Sequence, residues 1–160
     1  MIVLDADISV KVHKAVQDAI QKYGASDDEL IPRLIHINHD LGYLPSQALE
    51  ELSVIFKKPK SKIFSVASFY GMLSTTPVGR HVIRFCESAP CHVIGGRVVF
   101  QALIDVLKIN PGETSKDGKW TLLTTSCLGI CAVGPAFIVD DDIYGNVAPA
   151  QVQTILARYE

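Results

Sequence analysis

Cysteine is scarce here, 4 in 160 residues, which argues against the small, cysteine-dense and secreted disulfide scaffolds. Met1 to Asp7 carry no basic segment followed by an apolar signal core. No apolar run reaches the roughly 18 residues that a membrane span needs, so no direct membrane insertion is expected. Neither sign of charge dominates: 15 basic side chains face 17 acidic ones, the net charge is −2, and no polybasic footprint offers itself to nucleic acid. Cys-x-x-Cys is absent, which argues against dithiol redox catalysis, and no Gly-x-Gly-x-x-Gly follows a strand, so no nicotinamide or flavin site is visible. With 48% hydrophobic residues the chain can bury a core of its own, and the expected setting is cytoplasmic.

What the sequence does have is a pairing of its four cysteines. Cys86 and Cys91 are separated by four residues, Cys127 and Cys131 by three, and thirty-five lie between the pairs. That interval holds a helix and a strand, so two loops distant in sequence can offer four thiolates to one centre. Disulfides or inert thiols are one reading of such a set. Structural zinc is a second, since four cysteines in tetrahedral geometry with short spacers hold that ion. An iron-sulfur cluster is the third, held two-plus-two, because the bacterial and plant ferredoxin runs place three cysteines in one tight loop and this chain never does.

The first half reads as helices. Val12, Val16 and Ile20 lie four apart in a helix that Gly24 stops, and Ser26 with Glu29 has the form of a capping box for a second helix. Leu30, Leu34, Ile37 and Leu41 form its apolar stripe. Pro45 and Ser46 open a third helix with Leu49, Leu52 and Phe56 inward, and Ser61 is placed to cap a fourth through Ile63, Val66, Ala67 and Tyr70. The lysines around Pro59 read as a solvated loop. Texture changes near Pro77, dividing the chain into a helical part, 1–76, and a second part, 77–160.

In the second half the period shifts to that of strands. Arg80 to Cys86 reads as a strand, Val93 to Ile109 as a helix with Val99, Leu103, Val106 and Leu107 on one face, and Lys119 to Thr125 as a strand that ends just before Cys127. Ala136 to Asp140 and Ile143 to Val147 suit a hairpin around Asp141 and Asp142, and Pro149 starts a terminal helix with Val152, Ile155, Leu156 and Tyr159 inward. The resulting class is α+β, a helical bundle followed by a thioredoxin-like layer whose neighbouring strand ends carry both cysteine loops. A two-iron cluster with four thiolates has a charge of about −2, becoming about −3 on reduction, which nearby amides or cations must offset. Gly95, Gly96, Gly129 and Gly134 permit close backbone approach, and Arg84, His92 and Arg97 are candidate cations.

Phe69-Tyr70-Gly71-Met72, Pro77-Val78-Gly79, Pro90-Cys91-His92, Cys127-Leu128-Gly129-Ile130-Cys131 and Gly134-Pro135 together resemble the thioredoxin-like 2Fe-2S subunit of NADH dehydrogenase modules. Leu41-Gly42-Tyr43-Leu44-Pro45 is similar to that family's helical domain, and Asp140 to Asn146 to its acidic hairpin. The resemblance implies one 2Fe-2S cluster with Cys86, Cys91, Cys127 and Cys131 as ligands, and electron transfer beside a partner that holds FMN and binds NAD(P)H. It implies no catalytic residue in this chain. The family spans respiratory complex I, NAD-linked formate dehydrogenases and hydrogenases, including electron-bifurcating ones. The short length and the Glu87-Ser88-Ala89-Pro90-Cys91-His92 loop are more similar to gamma subunits of hydrogenase or formate dehydrogenase than to NADH-quinone oxidoreductase (complex I). Glu87-Ser88-Ala89 departs from the small neutral or hydroxyl residues of many relatives. A zinc-stabilised interaction module is the alternative from a different class.

Overall fold

The computed structural model describes residues 3–24 and 26–159. Its contacts divide the chain into two compact units, Met1–Pro77 and Val78–Glu160. The first unit contains helices α1 (Val3–Tyr23), α2 (Leu30–Leu41), α3 (Ser46–Ile55) and α4 (Lys60–Phe69). Their apolar stripes meet in one core around Val16, Leu34, Ile37, Leu44, Leu52 and Ile63, all fully buried. Each such aliphatic side chain contributes roughly 1.5–3 kcal/mol by leaving water.

Two helix starts differ from the sequence reading. The capping box at Ser26 and Glu29 is replaced by a 3₁₀ turn, Asp27–Glu29, in which the Glu29 amide donates to the Ser26 carbonyl at 3.2 Å. Pro32 supplies the reason. A helix capped by Ser26 would carry this proline past its first turn, where the missing N–H breaks the ladder, whereas a start at Leu30 keeps it inside the first turn. At α4 the N-cap is Pro59, so Ser61 lies within the helix and caps nothing.

Arg33 is a charged residue in α2, of a type that is mostly exposed, yet it is fully buried. Its guanidinium donates to the carbonyls of Tyr23, Gly24 and Ser26, where α1 ends, and lies 4.8 Å from the centre of the Phe56 ring. The orphan carbonyls of a helix terminus need donors, and this side chain supplies them.

The second unit is a four-stranded sheet in the order β2-β1-β3-β4, with β1 (His81–Cys86), β2 (Trp120–Thr125), β3 (Phe137–Val139) and β4 (Asp142–Tyr144). β1 and β2 are parallel, and β1, β3 and β4 pair antiparallel in turn. A parallel pair requires a crossover, supplied here by α5 (Ala89–Cys91), a π-type segment (His92–Gly96) and α6 (Arg97–Leu107). The last helix, α7 (Val152–Leu156), packs with α6 through Val152, Ile155 and Leu156 in one core with Val99, Leu103, Ile83 and Phe137. Val106 remains 42% exposed, turned off the face of α6 on which Val99 and Leu103 are buried and Leu107 packs against the core.

Ala89–Leu107 is, among the described residues, a helical stretch of 19 residues with mean hydropathy 1.3, long and apolar enough to span a membrane by those measures alone. Here Ile94 and Gly95 leave helical geometry midway, and Val99 and Leu103 are buried in the unit's core. At the chain's end the Tyr159 hydroxyl donates to Asp142 Oδ2 at 2.7 Å and lies 2.7 Å from the Tyr144 hydroxyl, tying the segment after α7 to β4.

Candidate metal centre

The parallel register places Cys86 opposite Thr125, so β1 and β2 release the chain at the same end of the sheet. Cys86 closes β1 there, and Cys127 follows β2 by two residues. The junction is fixed by backbone bonds: the Cys86 amide donates to the Ala136 carbonyl at 3.2 Å and the Glu87 amide to the Thr125 carbonyl at 3.0 Å. Cys91 returns toward Cys86 because Ser88 and Pro90 start α5, and the His92 amide donates to the Ser88 carbonyl at 3.0 Å. Cys131 opens a 3₁₀ turn, Cys131–Val133, after Gly129 has taken φ +80°, a conformation that glycine adopts without cost.

The two cysteine pairs differ in exposure. Cys86 and Cys91 are buried with Ala136, against which Leu128 and Ile130 pack, so the second loop lies over the first pair. Cys127 and Cys131 face solvent, with their sulfurs 3.3 Å apart. Burial pushes the Cys86 thiol up, but the Leu128 and Ser88 amides and the Cys91 thiol outweigh it and hold the group below its ordinary value. Cys91 is raised by burial and by donating to Cys86. The Gly129 amide, 3.4 Å from its sulfur, lowers Cys127, with further help from the Cys131 thiol. Cys131 is raised, chiefly because its proton is held between the two sulfurs. In each pair one thiol is thus lowered and its neighbour raised. Cys131 feels the charge of both Cys86 and Cys127, so the four groups share one electrostatic neighbourhood.

These residues fit a soft, anionic, multi-iron group. Thiolates are the donors that select such clusters, and amides of Leu128, Ser88 and Gly129 already aim at sulfur. Among the described residues no three ligand-type side chains converge on one ion, so the sulfurs stand as two pairs. Two glycines keep the cradle open. A Cβ on Gly96 would lie 2.5 Å from the Cys91 carbonyl oxygen, and one on Gly134 would lie 3.0 Å from the Cys91 sulfur. Gly96→Ala is expected to displace the backbone at Cys91 and lower iron content at least severalfold, as read by iron and sulfide analysis. Full iron with an unchanged melting temperature would refute that expectation.

All four cysteines singled out by spacing are therefore at this one end of the sheet. Of the three candidate cations, His92 and Arg97 line a cavity of about 350 Å³ beside Cys86 and Glu87. Arg84, the third, lies within β1. Its burial lowers its pKa, and Asp140 and Asp141, in the turn after β3, oppose that shift. Sequence reasoning passed over the Leu128 and Ser88 amides, because backbone donors leave no mark on residue type.

Comparison with known proteins gives a consistent picture. The model of the thioredoxin-like [2Fe-2S] ferredoxin family matches residues 16–160. One NADH-quinone oxidoreductase subunit, from Escherichia coli (strain K12), is 34% identical over 154 residues, covering 96% of this chain and 93% of that protein. Its counterpart from Aquifex aeolicus (strain VF5) is 32% identical over 144 residues, covering 90% of each. Among solved structures, the NAD+-reducing [NiFe]-hydrogenase in its air-oxidized state is similar with a TM-score of 0.70 and 27% identity over 81% of this chain. This chain spans only 22% of that hydrogenase chain. Two cysteine pairs at adjacent strand ends and a family match over nearly the whole length lead to one conclusion: the chain belongs to the thioredoxin-like [2Fe-2S] ferredoxin family, whose members carry one 2Fe-2S cluster.

Proposed function

We propose that this chain is the electron-transfer subunit of a multi-subunit NAD(P)H-linked oxidoreductase, with Cys86, Cys91, Cys127 and Cys131 holding its cluster beside a flavin-bearing partner. The observation that carries the reading is the parallel register that puts Cys86 and Thr125 side by side and so joins the two cysteine loops. When bound, the cluster supplies a one-electron store. The chain's own part is to hold and shield it: Cys86 and Cys91 anchor from the buried side, while Cys127 and Cys131 mark the edge nearest solvent. Amides of Leu128, Ser88 and Gly129 offset negative charge at the sulfurs.

Two assemblies suit this role. The relatives from NADH-quinone oxidoreductase match along almost their full length, which supports a complex I assembly. The structural likeness to an NAD+-reducing hydrogenase supports a hydrogenase assembly, and the Glu87 to His92 loop extends that proposal to formate dehydrogenase and bifurcating assemblies. Identifying the subunits that co-purify with the native chain decides between them. The helical unit is assigned the docking role. It presents Val10, Val54 and Phe69 at 68%, 76% and 80% exposure, apolar side chains open to a partner.

The test separates electron carriage from substrate activation. The isolated, red-brown protein is expected to take one electron from dithionite and to oxidise no NADH, since hydride must be split by a flavin. A colourless, redox-silent protein containing zinc would sink the reading. Steady NADH-dependent dye reduction by the pure subunit would overturn the division of labour.

A further inference from the structure

Between the ends of β1 and β2, next to both cysteine loops, lies a cleft of about 320 Å³ lined by Glu87, Ser88, Thr124, Thr125 and Ser126. Four hydroxyls and one carboxylate line it, with no cation and no large apolar side chain. In open α/β sheets the crevice outside the carboxyl ends of parallel strands is where ligands settle. The cleft's components are also held in place. The Glu87 amide is bonded to the Thr125 carbonyl at 3.0 Å, which fixes the acid at the strand end. Ser88 occupies the N-cap of α5 without a capping bond, and its hydroxyl instead serves the sulfurs of Cys86 and Cys127, which ties the cleft to both cysteine loops. Among the described residues Glu87 forms no ion pair, although it also borders the neighbouring cavity that His92 and Arg97 line.

We propose that this cleft receives an arginine side chain from the flavin-bearing partner and thereby ties docking to the redox state of the centre. The proposal rests on the function proposed above, and adds the chemistry of the contact. A guanidinium is planar, with five N–H donors, and the cleft offers a carboxylate plus several hydroxyl oxygens as acceptors; an ammonium, with three donors, would leave more of them unmet. The site is negative before any electron arrives, and reduction adds one more charge close by. The cation is consequently held more tightly by the reduced protein, and by reciprocity its presence makes reduction easier. A tenfold difference in affinity between the two redox states corresponds to a rise of about 59 mV in midpoint potential on docking.

The experiment uses the cluster-loaded chain and its flavin-bearing partner, separated from the native complex and remixed in a calorimeter at low and high salt. Glu87→Gln is expected to weaken assembly about tenfold and to flatten its salt dependence. Ser126→Ala, which keeps every charge and removes one acceptor, is expected to weaken it a few-fold, whereas Glu113→Gln, an exposed acid outside the cleft, leaves it unchanged. In redox titrations the wild-type potential rises on docking, and that rise shrinks in Glu87→Gln. Unchanged affinity in Glu87→Gln, or an equal loss in Glu113→Gln, overturns the cleft as a specific contact. Lack of a reducible centre in every variant would instead count against the cluster assignment, and the affinities would still decide the cleft.

Discussion

Replacing Cys86 with serine is expected to remove the reducible centre altogether, with iron and sulfide falling to background. A serine oxygen is hard and poorly ionised, and it cannot stand in for a soft thiolate. At this position it is also buried, at 2% exposure, beneath the loop that carries Leu128 and Ile130. The shorter side chain draws the oxygen back from the Leu128 and Ser88 amides and the Cys91 thiol that serve the sulfur, and each weakened hydrogen bond costs ~0.5–1.5 kcal/mol, so the melting temperature falls as well. The exposed pair should behave differently. Serine at Cys127 or Cys131 can be solvated, so folding is preserved while the cluster is lost or its paramagnetic spectrum altered. Iron and sulfide analysis, electron paramagnetic resonance of the reduced variants and thermal melts together read both effects. A wild-type spectrum with full iron in Cys127→Ser or Cys131→Ser would strike that residue from the ligand set.

The second large effect lies far from the cysteines in sequence. Arg33→Met keeps the length and apolar stem of the side chain but removes the guanidinium that donates to the carbonyls of Tyr23, Gly24 and Ser26, leaving Ser26 only its bond from the Glu29 amide. It also ends the stacking over Phe56. Several lost hydrogen bonds and one lost cation-aromatic contact cost on the order of 3 kcal/mol, a large share of the stability of a small helical unit. If the helical unit docks the partner, this variant keeps its cluster signal yet no longer joins the complex. Size-exclusion chromatography of the remixed subunits, with the spectrum recorded on the same sample, checks both halves. Intact assembly of a protein whose helical unit has melted would refute the docking role.

The residues that could be read from the sequence carry a local signature. β1 is a run of Val, Ile and Phe, the cysteines stand in two spaced pairs, and the apolar stripes of α2 and α3 repeat at helical period. Each maps onto the structure. Arg33 was invisible because its partners are carbonyls at the end of another helix, and a carbonyl looks the same whatever residue bears it. The capping box at Ser26 and Glu29 was a true local pattern, overruled by Pro32 three residues further on. At the metal centre the donor types could be read, but the amides of Leu128 and Ser88 and the hydroxyl-lined cleft depend on how two strand ends abut. Only the register of β1 against β2 determines that.

That same register has a consequence for how the protein is made. Cys127 lies 41 residues after Cys86 (127 − 86), so synthesis at about 5–20 residues per second presents the first pair of thiols seconds before the second. During that interval β1 has no parallel neighbour, since β2 is the strand it pairs with. The four thiols come together only when β2 docks, a contact of high sequence separation that forms late because its loop-closure entropy must first be met. With the four thiols as the proposed ligands, cluster delivery is expected to follow that docking. A scaffold that donates iron and sulfide too early meets half a site, while one that arrives after β2 has docked finds both loops already side by side.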